Sequence, residues 1–265
     1  MNIYLREMKA NTKSLIIWCV AQVFIILAGM MKYVGFAESG IDIEAMFSSY
    51  PEALLNAFGI SDVDISSVDG FYTVFFLYFM LLAAIHAVMF GAVIISKEER
   101  DHSADFLFSK PVKRHKVVIS KALAGVTNIL IFNVVTLITS VLMIAQNNDG
   151  DGLFGQVSML MLALFLIQLM FLCIGLLLGA WLKSTKLATS VATSIVLGTF
   201  FLSILSDISE KVNWLKYFTP FKAFDSSTVM LDGEFSLIAT AILMVVAAAS
   251  ILITLIKFKT RDLNT

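Results

Sequence analysis

Six apolar runs free of charge divide the chain: Ser14–Met31, Phe71–Ile95, Ala122–Ala145, Leu153–Leu182, Leu187–Ser206 and Ser236–Ile256, of 18, 25, 24, 30, 20 and 21 residues. About 20 residues of helix cross a bilayer's hydrocarbon core, so each run predicts one transmembrane helix. The longest, Leu153–Leu182, predicts a tilt or an extension into an interface. No Lys, Arg, Asp or Glu falls inside any run. At mid-membrane each would cost about 2.5–3.5 kcal/mol, against about 0.3–0.6 gained per Leu, Ile, Phe or Val. Pro51, Pro111 and Pro220 all lie between runs, and no internal repeat, linker or low-complexity tract interrupts them. The expected fold is an all-α integral membrane protein with six transmembrane helices, forming a single domain over residues 1–265.

Composition agrees, because 58% hydrophobic and 15% charged residues with a mean hydropathy of +0.87 cannot cover a soluble surface. Charge then orients the chain. Counting Lys and Arg on alternate sides of the runs gives fifteen against four, with the richer side holding Arg6, Lys9 and Lys13, the 96–121 segment, Lys183, Lys186 and the tail. Positive charge is retained in the cytoplasm, so both termini are expected inside. The opposite side collects Glu38, Asp42, Glu44, Glu52, Asp62, Asp64 and Asp69 before the second run. The first run lacks a clear small-x-small cleavage site, and removing it would leave an odd number of spans, so it is read as a span and not a leader. Cys19 and Cys173 lie in spans, which leaves no extracellular disulfide framework and no metal-ligand pair. The basic residues set topology without a folded domain to carry them, which excludes a nucleic-acid binder.

The densest polar segment is Ser96–Lys121, with seven Lys/Arg and four Asp/Glu in 26 residues. Ser103 and Asp105 can cap a short helix, Phe106 and Leu107 sit on it, and Pro111 stops it. Such a helix suits docking in a partner's groove, or lying among headgroups with Phe106 and Phe108 dipped into lipid. The run Lys97-Glu-Glu-Arg100, then Ser103-Ala-Asp-Phe-Leu107, Ser109-Lys-Pro111, Arg114 and Lys121 resembles the cytoplasmic loop of type-2 ATP-binding-cassette (ABC) permeases, with His102-Ser103 where that family usually has Gly-Thr. Tyr50–Gly59 and Tyr217–Lys222 are similar to further stretches of the same family.

The resemblance implies an exporter's membrane subunit at the plasma membrane, the inner membrane in a bacterium. It would pair with a second permease copy or a paralogue. A coupling helix between spans two and three would insert into a separate ABC ATPase subunit, which binds ATP and Mg. This chain has no phosphate-binding Gly-x-x-x-x-Gly-Lys-Ser/Thr loop, holds no cofactor and is not expected to be an enzyme. Glu98, Glu99, Ser103, Asp105, Phe106, Leu107, Pro111 and Arg114 are the candidate ATPase contacts.

Within the spans, Gln22, His86, Asn128, Asn133 and Gln168 either line a translocation path or join helices. Gly175 and Gly179, and Ser190, Ser194 and Gly198, permit close helix approach, inside the chain or at a dimer seam. On the far side, Trp214, Tyr217, Phe218 and Phe221 suit an interfacial aromatic belt. The family resemblance instead implies a re-entrant segment before the sixth span that forms an outer gate. The uncharged walls favour a lipid-like, amphipathic or peptide cargo. Two other classes stay open. A secondary transporter would need mid-membrane acids or bases near broken helices, and a non-transporting sensor or assembly subunit could keep the same loop.

Overall fold

The computed structural model describes residues 2–40, 46–47, 49–57, 59–60, 63–100, 113–147, 153–182, 184–208, 212, 214–216 and 219–260. Its helices are α1 Ile3–Ser39, α2 Glu52–Ala57, α3 Val68–Arg100, α4 Arg114–Asn147, α5 Phe154–Trp181, α6 Thr185–Ile208, α7 Pro220–Ala223, α8 Ser226–Asp232 and α9 Leu237–Thr260. Among the described residues there is no strand. Six helices, α1, α3, α4, α5, α6 and α9, are long and apolar enough to span a membrane, as the pattern of runs predicts.

The long helices overrun the uncharged stretches. α1 begins eleven residues before Ser14, α3 continues to Arg100, and α4 starts at Arg114 instead of Ala122. Charge ends a membrane run but not a helix, since Lys, Arg and Glu are good helix formers. The Asn2 side chain accepts from Leu5 N at the start of α1, and Gly40, with φ 65°, takes the left-handed turn beyond its end.

α3 and α5 form the centre: 72% and 67% of their apolar windows are buried, against 22–39% for the other four spans. Their contact is backbone on backbone. A Cβ at Gly91 would lie 2.4 Å from the Leu172 carbonyl oxygen, one at Gly175 2.2 Å from Val88 O, and one at Gly179 2.5 Å from Ala92 O. The Gly175/Gly179 pair is therefore consumed by packing inside the chain, whereas Ser190, Ser194 and Gly198 lie exposed on α6. α1 packs on α3 and α4, α6 on α3 and α5, and α9 on α5 and α4.

Candidate functional site

One end of the bundle, here called the loop end, gathers the start of α1, the end of α3 and the start of α4, and bears the 101–112 connection. At its centre is Glu7, whose side chain is wholly buried. Its carboxylate pairs with Lys97 of α3, with Lys121 of α4 at 3.8 Å and with Arg6 at 3.0 Å. Asn11 Nδ2 donates to the Glu7 carbonyl at 2.7 Å and to Oε2 at 3.5 Å. Lys121, also wholly buried, donates to the Ile94 carbonyl of α3. A carboxylate and an ammonium removed from water each lose several kcal/mol of solvation, which only close opposite charges and further hydrogen bonds offset. Glu7 thereby fixes α1 to both helices from which the 101–112 connection emerges.

Two other contacts bind the same roots to α9 and α6, and a third joins α9 to α5. Arg114 Nη1 donates to the carbonyls of Phe258 at 3.4 Å and Lys259 at 3.2 Å, where the last turn of α9 concentrates negative dipole. Thr185 Oγ1 at the start of α6 donates to the Ser96 carbonyl at 3.3 Å. The Lys257 ammonium sits 5.0 Å from the centre of the Trp181 ring, linking α9 to α5.

Of the residues expected to contact an ATPase subunit, Glu98 and Glu99 lie on the last turn of α3 and Arg114 opens α4. Ser103, Asp105, Phe106, Leu107 and Pro111, and with them the expected coupling helix, lie outside the described residues. The sequence reading missed Glu7. The signal was present: Glu7 is the only acid before Glu38, and it falls on the buried stripe Ile3, Leu15, Gln22, Ile26. Lys97 and Lys121, which that reading uses for orientation and loop resemblance alone, are structural partners of Glu7.

The intramembrane polar residues separate into two groups. Asn133 of α4 and Gln168 of α5 pair their amides at 2.9 Å, and nearby Tyr72 of α3 donates to Ser140 of α4 at 2.7 Å. Gln22, His86 and Asn128, on α1, α3 and α4, are fully enclosed; the His86 ring and the Asn128 amide are polar neighbours, and none of these side-chain nitrogens and oxygens makes a well-formed hydrogen bond. The His86 ring stacks on Phe132 at 4.8 Å and tilts against Trp18 at 5.4 Å. Both groups face the interior of the chain.

At the opposite end, the segment before α9 folds back into the bundle. Thr219 and Pro220 start α7, with Thr219 Oγ1 accepting from Phe221 N at 3.3 Å. Asp225 caps α8, and Gly233 with φ 66° ends it. Phe221 is buried against Phe171 and Phe200, at 5.9 and 5.4 Å between rings, and Phe224 against Phe235 at 5.6 Å. Trp214 is exposed, whereas Tyr217 and Phe218 lie outside the described residues. Lys222 bridges Asp207 at 3.0 Å and Asp225 at 2.6 Å, and Ser226 donates to the Thr73 carbonyl of α3 at 3.0 Å. Burial alone would raise the Asp225 carboxyl, but Lys222, the Ser227 hydroxyl and the Thr228 amide outweigh it and hold the group below its ordinary value. Burial likewise disfavours the Lys222 ammonium, but Asp225 and Asp207 outweigh it and raise that group.

Among the described residues no cluster of His, Cys, Asp and Glu could hold a metal. What the arrangement offers is mechanical: a polar connection whose two roots are tied to α1, α6 and α9, and short helices packed into the far end of the bundle. No curated protein matches the chain. The family model described as "ABC-2 family transporter protein" matches residues 1–263, and the chain belongs to that family of membrane transport proteins.

Proposed function

We propose that the chain is the permease subunit of an ABC exporter, one half of a path completed by a second copy or a paralogue. A separate ATPase subunit, which binds ATP and Mg, grips the connection between α3 and α4. The loop end faces the cytoplasm of the cell membrane, in keeping with fifteen Lys and Arg on that side against four on the other. The observation that carries the reading is the buried Glu7–Lys97–Lys121 cluster. Force applied to the connection enters α3 and α4 at residues clamped to α1, so the three helices tilt as one body and do not bend separately. Arg114 and Thr185 extend the same hold to α9 and α6.

Charge reversal at Glu99 or Asp105 tests the reading in proteoliposomes holding the permease and its ATPase. The expected result is ATP hydrolysis that no longer drives transport. Unaltered coupling in both variants would overturn the assignment of the connection as the ATPase contact.

A further inference from the structure

A groove of about 410 Å³ runs between α4, α5 and α9 and carries no charged side chain on its walls. Its size lies within the ordinary range for small-ligand sites, about 300–1,000 Å³. Along α9 the walls run from Met244 to Leu255, eleven residues or about 16 Å of helix. That is close to half of a hydrocarbon core of about 30 Å, the depth of one leaflet. The groove ends at the loop end of the bundle. Val118 and Leu255 on its walls stand four residues from Arg114 and Lys259, where Arg114 Nη1 joins α4 to α9 through the Phe258 and Lys259 carbonyls.

Helix periodicity carries basic groups onto that end. On α4, His115 precedes the wall residues Ile119, Ala122 and Val126 at intervals of four, three and four, and Lys116 precedes Ile119 and Leu123 by three and seven. On α9, Lys259 follows Leu255 by four and Ala248 by eleven. All three side chains are exposed, and none has a partner among the described residues. The first turn of α4 holds no acid, and the last turn of α9 holds only lysines as charged groups. Arg114, in contrast, is committed to the α9 carbonyls. Apolar walls one leaflet deep, ending in two lysines and an imidazole that no acid answers, suit an acyl chain beneath an anionic head. The larger groove between α6 and α9, of about 710 Å³, lacks this sorting, since the Lys222 on its wall is already neutralised by Asp207 and Asp225.

We infer that the α4–α5–α9 groove binds an anionic phospholipid of the leaflet at the loop end, with the phosphate between Lys116, His115 and Lys259 and an acyl chain along Leu123, Ile251 and Leu255. Ammonium and imidazole N–H groups donate to the phosphate oxygens, and the chain removes the apolar walls from contact with mobile lipid. The bound lipid lies against the first turns of α4, one root of the 101–112 connection. Binding is a property of the chain itself and needs neither the ATPase nor transport, so it stands or falls separately from the exporter reading.

The test uses the purified full-length protein in nanodiscs, with a small fraction of phosphatidylglycerol carrying a photoreactive acyl chain and cross-links mapped by mass spectrometry. Ile253, exposed on another face of α9 at the same depth, reports contact with bulk lipid. Labelling of Ile251 or Leu255 should exceed that of Ile253 by about tenfold, the effect of one or two charge-assisted contacts. Lys116→Glu combined with Lys259→Glu should abolish the preference without lowering the melting temperature, because both side chains are exposed. In the parent protein, the same photoreactive chain on phosphate-free diacylglycerol should show no preference either. Ala248→Trp, which fills the groove from its α9 wall, should remove the preference with the basic end intact. Equal labelling of Ile251 and Ile253 would show bulk lipid contact only and overturn the inference, as would a preference that diacylglycerol shares. Cross-linking between Ile251→Cys residues of two chains would overturn it as well, since a second copy would then cover the groove.

Discussion

Replacing Glu7 with Gln isolates the charge at the loop end, because the side chain keeps its size and an amide oxygen while losing the negative charge beside Lys97, Lys121 and Arg6. At 3.8 Å from Lys121 a unit pair is worth about 4 kcal/mol at an effective dielectric of about 20. The solvation that a buried carboxylate lacks offsets part of this. Lys97 and Arg6 keep 13% and 28% side-chain exposure and can turn toward water, whereas Lys121 has none. The expected loss is therefore about 3–5 kcal/mol, the range for removing one member of a buried pair. For a chain of this size that is a fall in Tm on the order of 10 °C, readable by size-exclusion chromatography of heated, detergent-solubilised protein. Arg6→Gln should cost less than about 1 kcal/mol, since its head is partly in solvent. Glu7→Gln combined with Lys121→Met removes both enclosed charges and should recover at least half of the loss. A Glu7→Gln protein within about 2 °C of the parent, or a double variant no better than the single, would refute the clamp.

Gly175→Ala places a methyl 2.2 Å from the Val88 carbonyl oxygen and should cost about 1–3 kcal/mol by forcing α3 and α5 apart. Gly198→Ala, with nothing within 4 Å of its Cβ, should leave thermal stability unchanged or raise it slightly. His86→Phe deletes two buried nitrogens that make no well-formed hydrogen bond, with the Asn128 amide as a polar neighbour, while keeping a ring against Phe132. Its Tm should hold or rise, and a loss beyond about 1 kcal/mol would mean that the nitrogens are bonded in the membrane. Lys222→Met leaves Asp207 and Asp225 facing each other and should cost about 2 kcal/mol, with Asp207→Asn added in the same chain restoring most of it.

Six spans were legible in the sequence because hydrocarbon excludes charge from every run, an effect that needs no tertiary contact to be read. The clamp at Glu7 was not, because its partners stand 90 and 114 residues away and each charge taken alone looks like a topology signal. The Gly175/Gly179 spacing was legible as a close approach, but the facing helix was not, since Gly91 becomes meaningful only once α3 is placed. The aromatic segment before the last span reads as a belt or a gate. The structure divides it, burying Phe221 and Phe224 while leaving Trp214 exposed. That division depends on the Thr219-Pro220 helix start and the Asp225 cap, which turn the chain inward over a few residues.

The close seat of α5 against α3 has a mechanical consequence. Its glycines press its main chain against that of α3, so neither can slide along the other without a carbonyl oxygen meeting an α-carbon. Four residues before Gly175, the same helix holds Phe171 against Phe221. A shift of α3 along this contact would therefore carry α5 with it, and with α5 the ring on which Phe221 of the short helix rests.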